Sequence, residues 1–133
     1  MTPPFVEIAG SRGVFAGVRV ELRLGQRITV GRSRFVELSA VKTPMAVRIG
    51  RDKLEKNSGF RRMSRRHFEI AYEADNRILI SDQSRNGVLL DGRKVEGSAV
   101  IDPGTVAEAG AHIRFGAGEE LCLLVRKAVG VLP

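Results

Sequence analysis

The sequence predicts an all-β fold, an antiparallel β-sandwich of about ten or eleven short strands. Two observations carry this expectation. Short segments alternate between apolar and polar residues, and pairs drawn from Gly, Asn, Asp and Pro separate them at close intervals. Alternation with a period of two puts one face of each strand on a core and the other in water.

Taken in order, a first strand is expected at 5–8, followed by a turn among the glycines at 10–17. Residues 18–24, Val-Arg-Val-Glu-Leu-Arg-Leu, alternate strictly and form the clearest strand of the chain. A turn at Gly25-Gln26 leads into Ile28-Thr29-Val30, which ends at Gly31-Arg32. Further strands are expected at 67–72, with Phe68, Ile70 and Tyr72 inward, and at 77–80, 88–90, 112–115 and 121–125. The connections Asp75-Asn76, Asn86-Gly87, Asp91-Gly92, Pro103-Gly104 and Gly116-Ala117-Gly118 all suit tight reversals.

One segment breaks the pattern. Over 43–59, Thr43 is placed to cap a helix, Pro44 to take its first position, and Asn57-Ser58-Gly59 to end it. One helix is therefore expected there. Gly50, Val47 and Ile49 oppose it, each by a fraction of a kcal/mol to about 1 kcal/mol, and a strand over 45–49 competes.

Composition narrows the function. The chain has 133 residues, 43% of them hydrophobic and 28% charged, which is enough for one domain to bury a core without disulfides or metals. No internal repeat or linker interrupts it, so a single domain over 1–133 is expected, with fraying at 130–133. No apolar run reaches the length of a membrane span, and Met1-Thr2-Pro3-Pro4 has neither the basic nor the apolar part of an export signal. A soluble, cytoplasmic protein with no membrane partner is the expectation. Cys122 is the single cysteine and lies in an apolar strand-like run, so it is read as core packing. The net charge of +7, mostly from arginine, points to an anionic partner but does not distinguish nucleic acid from phosphopeptide.

The blocks that carry chemistry are Ile28-Thr29-Val30-Gly31-Arg32-Ser33, Met63-Ser64-Arg65-Arg66-His67-Phe68-Glu69-Ile70 and Asp82-Gln83-Ser84-Arg85-Asn86-Gly87-Val88 with the following turn at Asp91-Gly92. They offer guanidinium groups, a short hydroxyl and an amide, the set a phosphate on a peptide requires. In type and order they resemble the forkhead-associated (FHA) domain, and Val100-Ile101-Asp102-Pro103-Gly104 and Ile113-Arg114-Phe115-Gly116 resemble its closing strands. Apart from an insertion within 34–61, the likeness spans nearly the whole chain.

The resemblance implies non-catalytic recognition of phosphothreonine in partner proteins of Ser/Thr kinase signalling, with no cofactor and no metal. It implies that Arg32 meets the phosphate or nearby peptide backbone, that Ser64 donates its hydroxyl to a phosphate oxygen, and that Arg65 adds a backbone or phosphate contact. Asn86 would bond the peptide main chain, since an amide both donates and accepts. Gly31 supports Arg32 from the strand end, His67 would be buried and hold Ser64 by hydrogen bonding, and Gly87 would take a positive φ.

The chain departs from the family pattern in two ways. Arg85 stands where the family often has Thr, and Arg62 adds a cation two residues before Ser64. Both make acidic residues flanking the phosphothreonine a plausible preference, alongside the reading that Arg61 and Arg62 merely solvate a loop. The distance from Arg32 to Ser64 is also unusually long, whereas Gly50-Arg51 lies at the customary distance. Arg51 is thus an alternative anchor. Gly31-Arg32 is preferred because the strands before it reproduce the family's lead-in, which leaves a helical element within 34–61 beside the binding loops.

Other readings remain beside this one. A basic β-domain binds nucleic acid nonspecifically, but no Trp, one Tyr and an inward Phe68 and Tyr72 leave no stacking surface. An assembly module that has lost phosphate binding is a third class, opposed by the presence of Arg32, Ser64, Arg65 and Asn86. Enzyme chemistry has no foothold, because no GxxxxGK[ST], GxGxxG or HExxH pattern and no paired carboxylates occur. Thr2-Pro3 and Thr43-Pro44 are candidate phosphorylation sites for binding by a second copy.

Overall fold

The computed structural model describes residues 4–126. The expected fraying at 130–133 and the Thr2-Pro3 site lie outside them. Among the described residues eleven strands form: β1 Phe5–Arg12, β2 Arg19–Leu22, β3 Arg27–Gly31, β4 Leu38–Ser39, β5 Phe68–Ala74, β6 Arg77–Asp82, β7 Val88–Leu90, β8 Arg93–Lys94, β9 Ser98–Ile101, β10 Ala111–Phe115 and β11 Glu119–Arg126. Three short α-helices, α1 Pro44–Ile49, α2 Arg51–Lys56 and α3 Ser58–Arg62, lie between β4 and β5.

The strands build two sheets, one of six in the order β2-β1-β11-β10-β7-β8 and one of five in the order β4-β3-β5-β6-β9. Every pairing is antiparallel except β3 with β4, where Val30 faces Leu38 and Gly31 faces Ser39. The inward residues of both sheets fill the space between them, among them Val6, Ile8, Leu22, Phe68, Ile70, Tyr72, Ile80, Ile113 and Leu121. Each such side chain contributes roughly 1.5–3 kcal/mol when fully buried. The sandwich predicted from alternation is the fold observed.

An aromatic knot closes the core at the end where β3, β5 and β7 meet the loops. Phe68 and Phe115 pack edge to face at 4.9 Å, Phe15 lies 5.8 Å from Phe115, and the His67 ring lies 5.3 Å from Phe115. The 3-10 turn Gly13–Phe15 delivers Phe15 to this knot, and the buried Glu119 carboxylate fastens the turn by accepting from the Val14 amide at 2.9 and 3.1 Å. Burial pushes the Glu119 carboxyl up from its ordinary pKa, while the Val14 and Phe15 amides pull the other way.

The single helix expected over 43–59 is instead three. Thr43 does cap α1, accepting from the Ala46 amide at 3.1 Å with Pro44 in the first turn, so the rival strand over 45–49 does not form. Gly50 then takes φ 83° and breaks the axis between α1 and α2. Asn57 ends α2, its amide donating to the Leu54 carbonyl at 3.0 Å, and at the same time starts α3, accepting from the Phe60 amide at 3.0 Å. Helices this short are held by packing, here through Ala46, Leu54 and Phe60, which belong to the main core. Thr43 is buried, and its hydroxyl donates to the Ala40 carbonyl at 3.1 Å, so it is closed to a kinase in the folded chain. Strand 18–24 is shorter than expected, at Arg19–Leu22, because Leu24 is half exposed in the turn that follows.

Candidate functional site

Three loop segments converge over the aromatic knot: the end of β3, the residues between α3 and β5, and those between β6 and β7. His67 joins two of them from below. It is wholly buried, its Nδ1 accepts from the Ser64 amide at 2.9 Å, and its Nε2 donates to the Gly87 carbonyl at 2.9 Å. Those two partners require the neutral ring with its proton on Nε2. Burial lowers the His67 pKa, the Gly87 carbonyl and Asp82 opposing it, so the ring is neutral at physiological pH. His67 thus positions Ser64 through its backbone, not through its hydroxyl.

The Ser64 hydroxyl is held from the other side, where it accepts from the Arg85 amide at 3.1 Å. Among the described residues it donates to nothing, which leaves its proton for an acceptor outside the chain. Asn86, an exposed residue, ties the same loops together by donating from Nδ2 to the Arg62 carbonyl at 2.8 Å, and among the described residues its Oδ1 accepts nothing. Gly87 has φ 90°, a conformation that favours glycine.

Two residues absent from the predicted site build the Asn86 loop. The Asp82 carboxylate accepts from both the amide (2.8 Å) and the hydroxyl (2.6 Å) of Ser84, and the Ser84 hydroxyl accepts from the Gly87 amide at 2.7 Å. An acidic residue two positions before a serine is the signature of such a local turn, and the sequence displayed it at Asp82-Gln83-Ser84.

Arg32 leaves the end of β3 beside Ser64. Its amide donates to the Ser64 carbonyl at 3.0 Å, and the Ser33 amide donates to the Arg65 carbonyl at 3.1 Å. Gly31 makes that approach possible, since a Cβ there would stand 2.1 Å from the Arg65 carbonyl oxygen. The Arg32 guanidinium carbon lies 5.7 Å from the centre of the buried Phe60 ring, and its Nε is buried with no hydrogen-bond partner among the described residues. Gly50-Arg51 occupies a different place, at the α1–α2 break, where Arg51 donates from Nε to Glu55 at 2.8 Å.

Arg32 and Arg51 nevertheless line one cleft of about 800 Å³, together with Arg34, Phe35, Arg61 and Arg65. Among the described residues no carboxylate pairs with Arg32, Arg62, Arg65 or Arg85, although acidic partners engage Arg19, Arg23, Arg27, Arg51, Arg77, Arg114 and Arg126 elsewhere. Arg62, Arg65 and Arg85 are exposed. The site is a set of cations without counter-charges around an oriented hydroxyl, suited to binding an anion. His112, the second histidine, is on β10 within 3.5 Å of Glu120 and takes no part in it.

The family model for the FHA domain matches residues 47–116. That span begins within α1 and takes in Gly50-Arg51, leaving Gly31-Arg32 and the first four strands outside. No curated protein matches the chain. Among solved structures it is similar to the FHA domain of the CT664 protein from Chlamydia trachomatis, at 21% identity and TM-score 0.64, covering 90% of this chain and 96% of that one. It is similar over 99% of its length to the FHA domain of an Arabidopsis thaliana hypothetical protein, with 94% of that chain covered, 20% identity and TM-score 0.68. The N-terminal FHA domain of Saccharomyces cerevisiae Rad53p, solved in complex with a phosphothreonine peptide, matches at 17% identity and TM-score 0.61, covering 92% and 94% of the two chains.

Proposed function

Because the chain belongs to the family of FHA domains, we propose that it is a non-catalytic module that binds phosphothreonine-containing segments of partner proteins in Ser/Thr kinase signalling. The observation that carries this reading is Ser64, its backbone held by His67 and its hydroxyl by the Arg85 amide with its own proton uncommitted, beside arginines that no carboxylate pairs with among the described residues. The peptide complex of the yeast domain supports the ligand class.

In this reading Ser64 donates to a phosphate oxygen, while Arg32 and Arg65 meet the dianion with planar forks. Arg32 is the anchor in preference to Arg51, since β3 brings its backbone against Ser64 whereas Arg51 stands at the α1–α2 break. Asn86 grips peptide backbone through its uncommitted carbonyl oxygen, and Arg62 and Arg85 favour acidic flanking residues. About three charge-assisted hydrogen bonds at roughly 1.5–3 kcal/mol each, offset by the cost of ordering a peptide, correspond to micromolar-range binding.

Calorimetry tests it with a phosphothreonine peptide and its unmodified counterpart. Heat is expected from the first alone, and Arg32→Ala and Ser64→Ala should each abolish it while thermal unfolding stays close to that of the parent. Unchanged affinity in both variants overturns the assignment. The phosphoserine version of the peptide should bind more weakly if threonine is the preferred residue. Affinity should also fall as pH drops through about 6, where the dianion takes up a proton.

A further inference from the structure

The cleft beside Ser64 carries more positive charge than one phosphate can use. Its lining includes six cations, Arg32, Arg34, Lys42, Arg51, Arg61 and Arg65, around a single carboxylate, Glu55. Glu55 is already engaged by Arg51, and among the described residues nothing acidic pairs with the other five.

The cations fall into two groups by origin. Arg32 and Arg65 flank Ser64 on the strand side. Lys42 ends the 3-10 turn after β4, Arg51 opens α2 and Arg61 lies in α3, so these three come from the inserted segment and form the helical wall of the cleft. They belong to different elements, yet all face one opening of about 800 Å³. Elsewhere on the chain some exposed arginines sit next to acidic partners, as Arg27 does with Glu69 and Arg77 with Glu73, and those without one among the described residues, such as Arg12, Arg48 and Arg93, do not line this cleft. Concentrating like charges costs free energy unless an anion fills the space between them.

We propose that the helical wall of this cleft, through Lys42 and Arg51, binds a second anionic side chain of the same peptide, either another phosphorylated residue or an acidic one. This rests on the phosphothreonine reading above. Once Ser64 and Arg32 hold the first phosphate, the second contact is intramolecular, so it adds affinity without a second loss of translational freedom. Lysine contributes as a point charge and arginine as a fork, so a phosphate gains more there than a carboxylate.

The experiment is calorimetry on the wild-type protein with three peptide sets. One carries phosphothreonine alone, one adds a phosphoserine at successive positions on either side, and one places Glu at those positions. At the best position a second phosphate should tighten binding roughly tenfold and Glu by a smaller factor. The gain should disappear in Lys42→Ala/Arg51→Ala, with affinity for the singly phosphorylated peptide within about threefold of wild type, as expected for screened surface charges. The matched variant Arg27→Ala/Arg77→Ala, at the far ends of β3 and β6, should keep the gain.

Equal affinity for all three sets, or a gain that survives the Lys42→Ala/Arg51→Ala change, overturns the proposal. So does loss of the gain in the far-end variant, which would assign it to overall charge. A gain from Glu equal to that from phosphate identifies an acidic stretch as the second group; a gain from phosphate alone identifies a doubly phosphorylated one. Failure of even the singly phosphorylated peptide to bind refutes the underlying function instead.

Discussion

The two sides of the cleft are held by different forces. On the strand side, Ser64 is fixed by a buried histidine, two backbone amides and an aromatic knot. On the helical side, three helices of five or six residues rest on a few apolar side chains and present cations of which, among the described residues, only Arg51 has an acidic partner. The strand side invests stability in geometry, which a directional contact to one phosphate oxygen needs. The wall invests in charge, which acts over several ångströms and tolerates loose placement.

The comparison is broken most severely at His67. His67→Ala removes a buried ring from the knot, leaves the Ser64 amide without an acceptor, and should cost about 3–5 kcal/mol in urea unfolding. Phosphopeptide binding should vanish with it. A His67→Ala protein as stable as wild type would show that the ring only fills space.

Leu54→Ala attacks the wall instead. Leu54 is 2% exposed and is the buried residue of α2, so its truncation should cost about 2–3 kcal/mol. Hydrogen exchange should rise over 44–62 far more than over β5, and the singly phosphorylated peptide should still bind. Equal loosening of both regions would mean that they form one cooperative unit.

Gly31→Ala probes the seam between strand end and Ser64 loop. A methyl group 2.1 Å from the Arg65 carbonyl oxygen must push the two apart, straining the Arg32 and Ser33 backbone bonds. Overpacking of this kind should cost roughly 1–3 kcal/mol. Affinity should fall with it, whereas Gly50→Ala at the α1–α2 break meets no atom within 4 Å and suffers only from its φ of 83°.

The strand side was the more legible in sequence, because its rules are local. Period-two alternation placed Phe68, Ile70 and Tyr72 inward, and Gly87 announced its positive φ. The wall was half legible. Thr43-Pro44, Gly50 and Asn57 each carried a true signal of a helix start or break, but a single helix absorbs all of them on paper, and only packing of Leu54 and Phe60 separates three axes. That Lys42 and Arg51 share a cleft with Arg32 depends on contacts between residues far apart in the chain, which no local pattern encodes. Glu119 and Glu120 are instructive in the same way. Alternation allows one of two neighbours to be buried, yet both are, since Glu119 turns under the Val14 amide and Glu120 meets Ser11 and Arg114.

The smallest expected effect is on the pH dependence of stability, and it separates the groups by sign. The folded pKa of His67 is depressed below its unfolded value of about 6.5, so the unfolded chain takes up the proton first and stability declines as pH falls below about 6.5. Glu119 is raised by burial and works in the opposite sense, gaining stability as pH falls through its folded pKa. Glu120 is held down at about 2 by Ser11 and by Arg114, so its contribution persists above about 4.3 and disappears between there and about 2. Urea midpoints of the free protein from about pH 7 downward should therefore show a first decline below about 6.5 and a second below about 4.3. Replacing His67 by Gln should remove the first decline and spare the second, while Glu120→Gln should do the reverse. If the first decline survives without the imidazole, the neutral ring beneath Ser64 is not its source. The loss of phosphopeptide affinity near pH 6 would then be tested apart from the fold, since the ligand's own titration is absent from the free protein.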